Sequence, residues 1–536
     1  MNSSLHEWSQ AIVSLRPRHI GALPLVWPIL EKLQVRATVN EVMAGQADID
    51  LGRIVLLLTL NRLLSPQPLY QVETWLAETV VPELLHLQPN QVYDNRLGRG
   101  LDRLYPHWGE LWARLVSRAI AVYDIDLSAI HWDITSIYFE GAYLDSELAA
   151  YGYSRDQRSD TKQVNLQVDV SHDGYVPLLY HLLPGNTADI TRPLPHLQTL
   201  LTFLARPELA ARHLRPILVS DCKMITPEAV LACRRHNLFY LGPLADSRAV
   251  EAVVSSVTAE ELADHPLAYR PQRIKADDSR FVPYQGVWRS FTFEYEGEQV
   301  TDRVLVVWSA GKQRLDEEKR KKHLKRLLNR LADIQSKLNQ RRYKQRAYAQ
   351  QQIAKVRQGN AAQNLVDVDL TGADGALYLT FRINRQNLVA AQQQDGRYPL
   401  ATNAGHLAAN EALTLFKGQD GAEKRFRTVK GPLQVQPLFV RSDQRIEGLL
   451  FITLLALLVR AILERQGRQQ GLAFTADRLW RGFAGLQAVD MTWQDGTRER
   501  RAADMTPFQE KVLQTLRWPL AAAYARLPSD GTAAHW

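Results

Sequence analysis

At 536 residues the chain exceeds one ordinary domain, and length alone suggests about three or four. Hydrophobic residues at 46% and charged residues at 23% exclude a disordered chain, while two cysteines, Cys222 and Cys233, exclude a disulfide scaffold and a Cys-rich zinc module and fit a reducing compartment. Lys+Arg number 65 and Asp+Glu 57, so the formal charge of +8 permits a nucleic-acid partner without requiring one.

The N-terminus, MNSSLHEWSQ, lacks the basic and apolar regions of a signal peptide. Residues 1 to about 125 read as helical. Ile54–Leu64 and Val72–Leu87 carry apolar residues at spacings of three and four, punctuated by Pro66, Pro68, Pro82 and Pro89. Arg96, Arg99, Arg103, Arg114 and Arg118 either solvate helix faces or contact DNA phosphates.

From residue 126 the pattern changes. LSAIHWDITSIYFEG, QVNLQVDVS (Gln163–Ser171) and YVPLLYHLL (Tyr175–Leu183) predict three strands, with SHDG as a hairpin turn. A helix follows over Pro193–Ala205, then a short β-rich run, RPILVSD, ending at Asp221. Thr226 as N-cap with Pro227 behind it predicts another helix, and LFYLGPL another strand. This order is α/β with a mixed sheet.

Residues 245–395 break that rhythm. Arg289–Ala310 predicts a β-hairpin around Glu296-Gly297-Glu298. A basic helix from about Asp316 to Gln358 would reach roughly 60 Å. Its Leu324, Leu327, Leu331, Ile334 and Leu338 follow 3-4-3-4 spacing, about two heptads, either packing on one side or pairing with a second copy. Ala376–Asn384 returns to strand character. Residues 396–470 read as helices again, and Gly448–Val459, 12 residues, is too short to span a bilayer and reads as a core helix, so no membrane association is expected. The tail to Trp536 reads as mixed helical and fraying.

Three acids stand out. Asp133 sits among β-formers, Asp221 closes a β-rich run, and Glu423 lies in LFKGQDGAEKRFRTVKG. Two carboxylates ~4 Å apart repel by about 4 kcal/mol at an effective dielectric constant near 20, so clustering them calls for a cation. Oxygen donors without His or Cys suit a hard ion, Mg²⁺ or Mn²⁺, and two such ions serve phosphodiester displacement. Phe416, Gln419, Glu423, Arg427 and Lys430 sit at −7, −4, 0, +4 and +7 about the glutamate, one helical stripe. The bland reading of that stripe is a solvated i,i+4 Glu–Arg pair. Gly418 and Gly421 weaken the helix at its start. His131 and Trp132 read as packed in the sheet, Trp132 facing away from Asp133, and Cys222 as a small packed residue.

Phe416-x2-Gln419-x3-Glu423-x6-Lys430 resembles the Y-x2-R-x3-E-x6-K signature of the IS-four superfamily of insertion-sequence transposases, a DDE group. DITSIYFEG, ILVSDCKMIT, LPGNTADITRPLPHL and TNAGHL resemble other segments of that family, in the branch with a large insertion before the glutamate. Phe416 stands for the family's Tyr and Gln419 for its Arg, departures that bear on DNA-end positioning. The resemblance implies an RNase H-like mixed five-stranded sheet flanked by helices. It divides the chain into a helical DNA-binding region (1–125), a first core part (126–244), an insertion of β-hairpin and long basic helix (245–395), a second core part with the glutamate (396–470) and a helical tail (471–536).

The function implied is metal-dependent DNA cleavage at element ends and strand transfer to target DNA. Asp133, Asp221 and Glu423 would be catalytic and hold two Mg²⁺ or Mn²⁺ ions. Phe416, Gln419, Lys424, Arg427 and Lys430 would contact DNA, with Arg425 facing the cleaved strand as well. Partners implied are double-stranded DNA, as terminal inverted repeats and target, and a second copy of the chain. The expected setting is the nucleoid of a bacterial or archaeal cytoplasm. A hydrolysis-only nuclease and a catalytically degenerate DNA-binding protein are the alternatives.

Overall fold

The structure is a computed structural model that describes residues 12–44, 50–152, 158, 160–188, 191–221, 225–271, 281–436, 440, 442–472 and 474–525. Cys222 and the last eleven residues of the tail lie outside them. In chain order the strands, and the helices of at least eight residues, are β1 (Ile12–His19), α1 (Leu23–Lys32), α2 (Val35–Val42), α3 (Leu51–Leu64), α4 (Asp94–Leu104), α5 (Trp108–Tyr123), β2 (Ala129–Tyr138), β3 (Gln163–Ser171), β4 (Pro177–Pro184), α6 (Pro193–Leu204) and β5 (Ile217–Val219). They continue with α7 (Pro227–Arg235), β6 (Phe239–Pro243), α8 (Arg248–Ser255), β7 (Pro266–Leu267), β8 (Tyr284–Tyr295), β9 (Glu298–Trp308), α9 (Ala310–Lys337), α10 (Arg346–Arg357), β10 (Val366–Thr371), β11 (Tyr378–Ile383), α11 (Arg385–Gln394), β12 (Arg397–Thr402) and α12 (Ala409–Lys417). Last come α13 (Gln419–Lys430), α14 (Asp443–Gln469), α15 (Ala476–Phe483), β13 (Gln487–Trp493), β14 (Arg498–Ala502) and α16 (Pro507–Leu516). The chain forms two compact units, Met1–Ser220 with Lys417–Trp536, and Asp221–Phe416.

The first unit holds a mixed sheet. β2 pairs antiparallel with β3, β3 antiparallel with β4, and β2 parallel with β5. β3 is buried along its whole length, and β2 along most of it, because helices cover both faces. α14 is the core of the helical layer. Its stretch Leu450–Leu463 is buried throughout, which makes it a core helix although it is long and apolar enough to cross a membrane. Trp108 of α5 stacks on its Phe451 at 4.2 Å. Two of the charges on α14 are met by ion pairs across the unit, Arg445 with Asp102 at 3.0 Å and Arg465 with Asp173 at 2.5 Å.

The two chain ends depart from an all-helical reading. β1 pairs antiparallel with β13, which pairs with β14, so the N-terminal region and the tail share one small sheet. Pro17 inside β1 hid that strand; it is tolerated because β1 is an edge strand.

In the second unit β6 pairs antiparallel with β12, β12 with β9, β9 with β8, and β8 with β7. The predicted hairpin around Gly297 is there, in the unit Asp221–Phe416 that interrupts the first unit in sequence between Ser220 and Lys417. It joins β6 through β12, a strand inside a stretch read as helical. The long basic helix is also corrected. It ends at Lys337, Leu338 leaves the helix with ψ 147, and Asn339 and Arg341 take positive φ, 64 and 45. The chain returns as α10, so a single rod of roughly 60 Å is replaced by a helical hairpin. Leu327, Leu331, Ile334 and Leu338 pack into a separate small core with Ala349, Ile353, Leu370 and Leu379. The leucine seam is therefore satisfied within one chain and is no dimer stripe.

Candidate active site

Asp133 lies mid-way along β2, half-buried, paired in register with Val168 of β3. Its Oδ1 accepts a hydrogen bond from the Ile134 amide at 2.7 Å, which fixes the carboxylate against its own strand. Strand alternation puts His131, Asp133 and Thr135 on one face and Trp132 and Ile134 on the other. The Trp132 face is confirmed by stacking: Trp132 lies over His196 of α6 at 4.8 Å, both buried. The Asp133 face belongs to α13.

Three contacts seat α13 there. Gln419, the first residue of α13, donates from Nε2 to the Trp132 carbonyl at 2.8 Å, and its Oε1 meets His131 Nδ1 at 3.0 Å. An amide oxygen accepts, so His131 Nδ1 carries the proton and Nε2 accepts from His172 Nδ1 at 2.9 Å. Burial pushes the His131 imidazolium down to about 4, so the ring is neutral in that chain. Gly421 comes next. A Cβ there would sit 2.1 Å from the Tyr175 ring, so glycine is what lets the helix approach the β3–β4 turn. Arg425, buried, then donates to the carbonyls of Gly174 at 2.7 Å and Tyr175 at 2.9 Å and pairs with Glu464 of α14 at 2.6 Å. Burial alone would raise the Glu464 carboxyl, but Arg425 and Arg460 hold it below its ordinary value.

Glu423 is one turn beyond Gln419, about 6 Å along the axis, and exposed. The i,i+4 pair with Arg427 is not formed. Asp420 takes the bases instead, Lys424 at 2.7 Å and Arg427 at 3.6 Å. Among the described residues Glu423 has no hydrogen-bond or ion-pair partner. The site residues thus divide. Asp133 and the helix of Glu423 are brought together on one face of β2; Gln419 is bound inward; Lys424 and Arg427 are exposed; Lys430 is half-buried at the end of α13. Arg425, expected to face DNA, is buried and holds the helix. Phe416 lies in the last turn of α12, in the second unit, 6.2 Å from Tyr398 by ring centroids. Asp221, two residues past the last β5 residue, opens the second unit.

Among the described residues no three His, Cys, Asp or Glu side chains form a metal-holding group. Two oxygen donors without nitrogen or sulfur ligands nevertheless suit Mg²⁺, which is commonly held by one or two carboxylates and completed by substrate phosphate oxygens.

Residues 15–115 match the family described as a domain of unknown function (DUF4277). None of the curated proteins matches. A piggyBac transposase synaptic complex with hairpin DNA, solved by cryo-EM, is similar over 88% of this chain and 82% of its own, at 8% identity and a TM-score of 0.39. A pre-cleavage Mos1 transpososome is similar over 40% of this chain and 65% of its own, at 18% identity and a TM-score of 0.17. A Mos1 transposase paired-end complex with the left transposon end follows, at 36% and 59%, 18% identity and 0.16.

Sequence reasoning singled out Asp133, Glu423 and the stripe as candidates, and of that stripe the Glu423–Arg427 pair is not formed and Phe416 lies on α12. It missed His172, Tyr175 and the structural role of Arg425. Gly421 within a helical stripe and the turn SHDGY were the signals, since a glycine there asks what lies against it.

Proposed function

We propose that this chain is a DDE-class DNA transposase of the IS-four superfamily of insertion sequences, with an RNase H-like core. It would cleave DNA at the element's terminal inverted repeats and join the freed 3′-hydroxyl to target DNA. One observation carries the reading. The residue before Asp133 is tied to the residue one turn before Glu423, leaving Glu423 exposed and unpaired among the described residues on the face of β2 that bears Asp133. The antiparallel run β4–β3–β2 with β5 parallel to β2 also suits such a core.

Asp133, Asp221 and Glu423 would hold two Mg²⁺ or Mn²⁺ ions, with DNA phosphate oxygens as further ligands. When bound, such ions activate the attacking oxygen and stabilise the leaving one. Lys424, Arg427 and Lys430 would contact the phosphate backbone, and Phe416 would lie against the DNA end. Gln419, whose amide is engaged with His131 and Trp132, would position Glu423 rather than touch DNA. Two element ends call for two copies of the chain, and the work would be done at the nucleoid of a bacterial or archaeal cell.

The test is a labelled duplex carrying the inverted repeats that flank the reading frame, incubated with Mg²⁺. The expected result is cleavage and strand joining by the native chain, lost in Asp133→Asn, Asp221→Asn and Glu423→Gln while DNA binding persists. Cleavage retained in any of the three variants overturns the assignment. Cleavage without joining marks a hydrolysis-only nuclease, and binding without cleavage by the native chain marks a degenerate copy.

A further inference from the structure

The chain's basic excess is confined to one part of it. Residues 310–395 contain 18 Lys+Arg and 8 Asp+Glu, a net +10. The whole chain carries +8, so the other 450 residues sum to −2. This basic segment is the helical hairpin α9–α10 with β10, β11 and α11, folded about its own apolar core.

Within it the cations are unequally used. Arg320 pairs with Asp395, Lys312 with Asp316 at 2.7 Å, Lys321 with Glu317 at 2.6 Å and Lys337 with Asp333 at 2.6 Å. Lys319, Lys322, Arg326 and Arg330 are exposed and have no ion-pair partner among the described residues. Their spacings of three, four and four put them on one stripe of α9, distinct from the buried Leu327–Leu331–Ile334 stripe. The stripe is about 16 Å long. Cations in a row repel one another, and the fold maintains them on a helix whose Leu327, Leu331 and Ile334 are buried.

We propose that this stripe of α9 is a sequence-independent binding surface for duplex DNA. Over the same ~16 Å a duplex presents about ten phosphate charges, so four cations are matched along the whole length. A single strand fits less well. Single-strand grooves interleave aromatic stacking platforms with basic residues, and Lys319–Arg330, KRKKHLKRLLNR, contains no Phe, Tyr or Trp. The stripe lies in the second unit and involves neither Asp133 nor Glu423, so it does not depend on the catalytic reading.

The experiment measures binding of the full chain to a random-sequence duplex in Mg²⁺-free buffer across a salt series. Each phosphate contact adds about 0.9 to the slope of log K against log salt. The variant Lys319→Gln/Lys322→Gln/Arg326→Gln/Arg330→Gln is expected to lower that slope by about 3 to 4, equally for unrelated sequences. Each single replacement, which leaves the leucine core untouched, lowers it by about one and covers the case in which the quadruple variant fails to fold. Lys321→Gln/Lys337→Gln, which removes two cations already paired, leaves it unchanged. An unchanged slope in the single variants overturns the proposal, as does an equal loss in the paired-lysine control. Displacement of the duplex by single-stranded RNA of the same length at equal concentration also overturns it.

Discussion

The Gln419 amide donates to the Trp132 carbonyl at 2.8 Å, so the backbone immediately before Asp133 is tied to the helix turn immediately before Glu423. The same side chain accepts from His131, which accepts in turn from His172. Gln419→Ala removes both bonds and leaves the buried His131 Nδ1–H without a partner. An orphaned buried donor costs about 1–3 kcal/mol. The midpoint of urea unfolding should fall accordingly with the slope unchanged. Gln419→Arg, which supplies donors but no acceptor, should not restore it. An unshifted midpoint in Gln419→Ala would remove the amide from the account of how α13 is seated.

Gly421 makes the second anchor through absence of a side chain. Gly421→Ala drives a methyl into the Tyr175 ring, and the ring is itself constrained: Tyr175 has a φ of 54 and follows Gly174 at 87. Overpacking of this kind costs about 1–3 kcal/mol. Because the clash is with one residue, the double variant Gly421→Ala/Tyr175→Ala should be less unstable than the sum of the two single variants. Strict additivity in that cycle would mean the helix meets something other than Tyr175.

How much of this was legible in the sequence follows from local chemistry. β2, β3 and β4 announced themselves because β-branched runs are separated by a turn ending in Gly174, and α7 because Thr226 caps it, accepting from the Ala229 amide at 3.2 Å. Asp133 and Glu423 were singled out as candidates through spacing and type. Of the strands that escaped notice, β1, β7 and β12 contain a proline, whereas β10, β13 and β14 do not. Pro399 is tolerated because it stands just outside Leu400–Thr402, the residues β12 pairs with β6. The break between α9 and α10 was hidden for the opposite reason: no Gly or Pro marks it, and Asn339 and Arg341 take positive φ without a glycine's ease. What Gln419 binds was beyond reach, since its partners lie 287 and 288 residues away.

Acid should unfold the first unit before ordinary carboxylate titration does. His131 titrates at about 4 in the folded chain against 6.5 when free, burial being the largest cause. His172, His181 and His196 are lowered too, also by burial. Between those values the unfolded chain binds more protons than the folded one, so stability rises with pH and is lost as pH falls from about 6.5 towards 4. His131 alone contributes about 3 kcal/mol across that window. The urea midpoint measured from pH 7 to pH 4.5 should fall steadily, and less steeply in His131→Gln. Asp169, buried beside His196 with its carboxyl raised well above the ordinary value, works in the opposite direction, so the test lies in the comparison: a His131→Gln profile as steep as that of the native chain would mean the His131 ring is solvated.

The leucines of α9 supply the last prediction. Leu331 is fully buried among Leu327, Ile334, Ala349, Ile353 and Leu379, all within the same helical hairpin module. Leu331→Ala should cost about 2–5 kcal/mol through the lost contacts and the cavity left behind. The loss belongs to one chain, so the apparent melting temperature of the variant should be independent of protein concentration, and its mass in sedimentation should equal that of the native chain under the same conditions. A seam shared between two chains would behave otherwise: the variant would dissociate, and its melting temperature would climb with concentration. That outcome would return the leucines to an intermolecular role and reopen the path of the chain after Leu338.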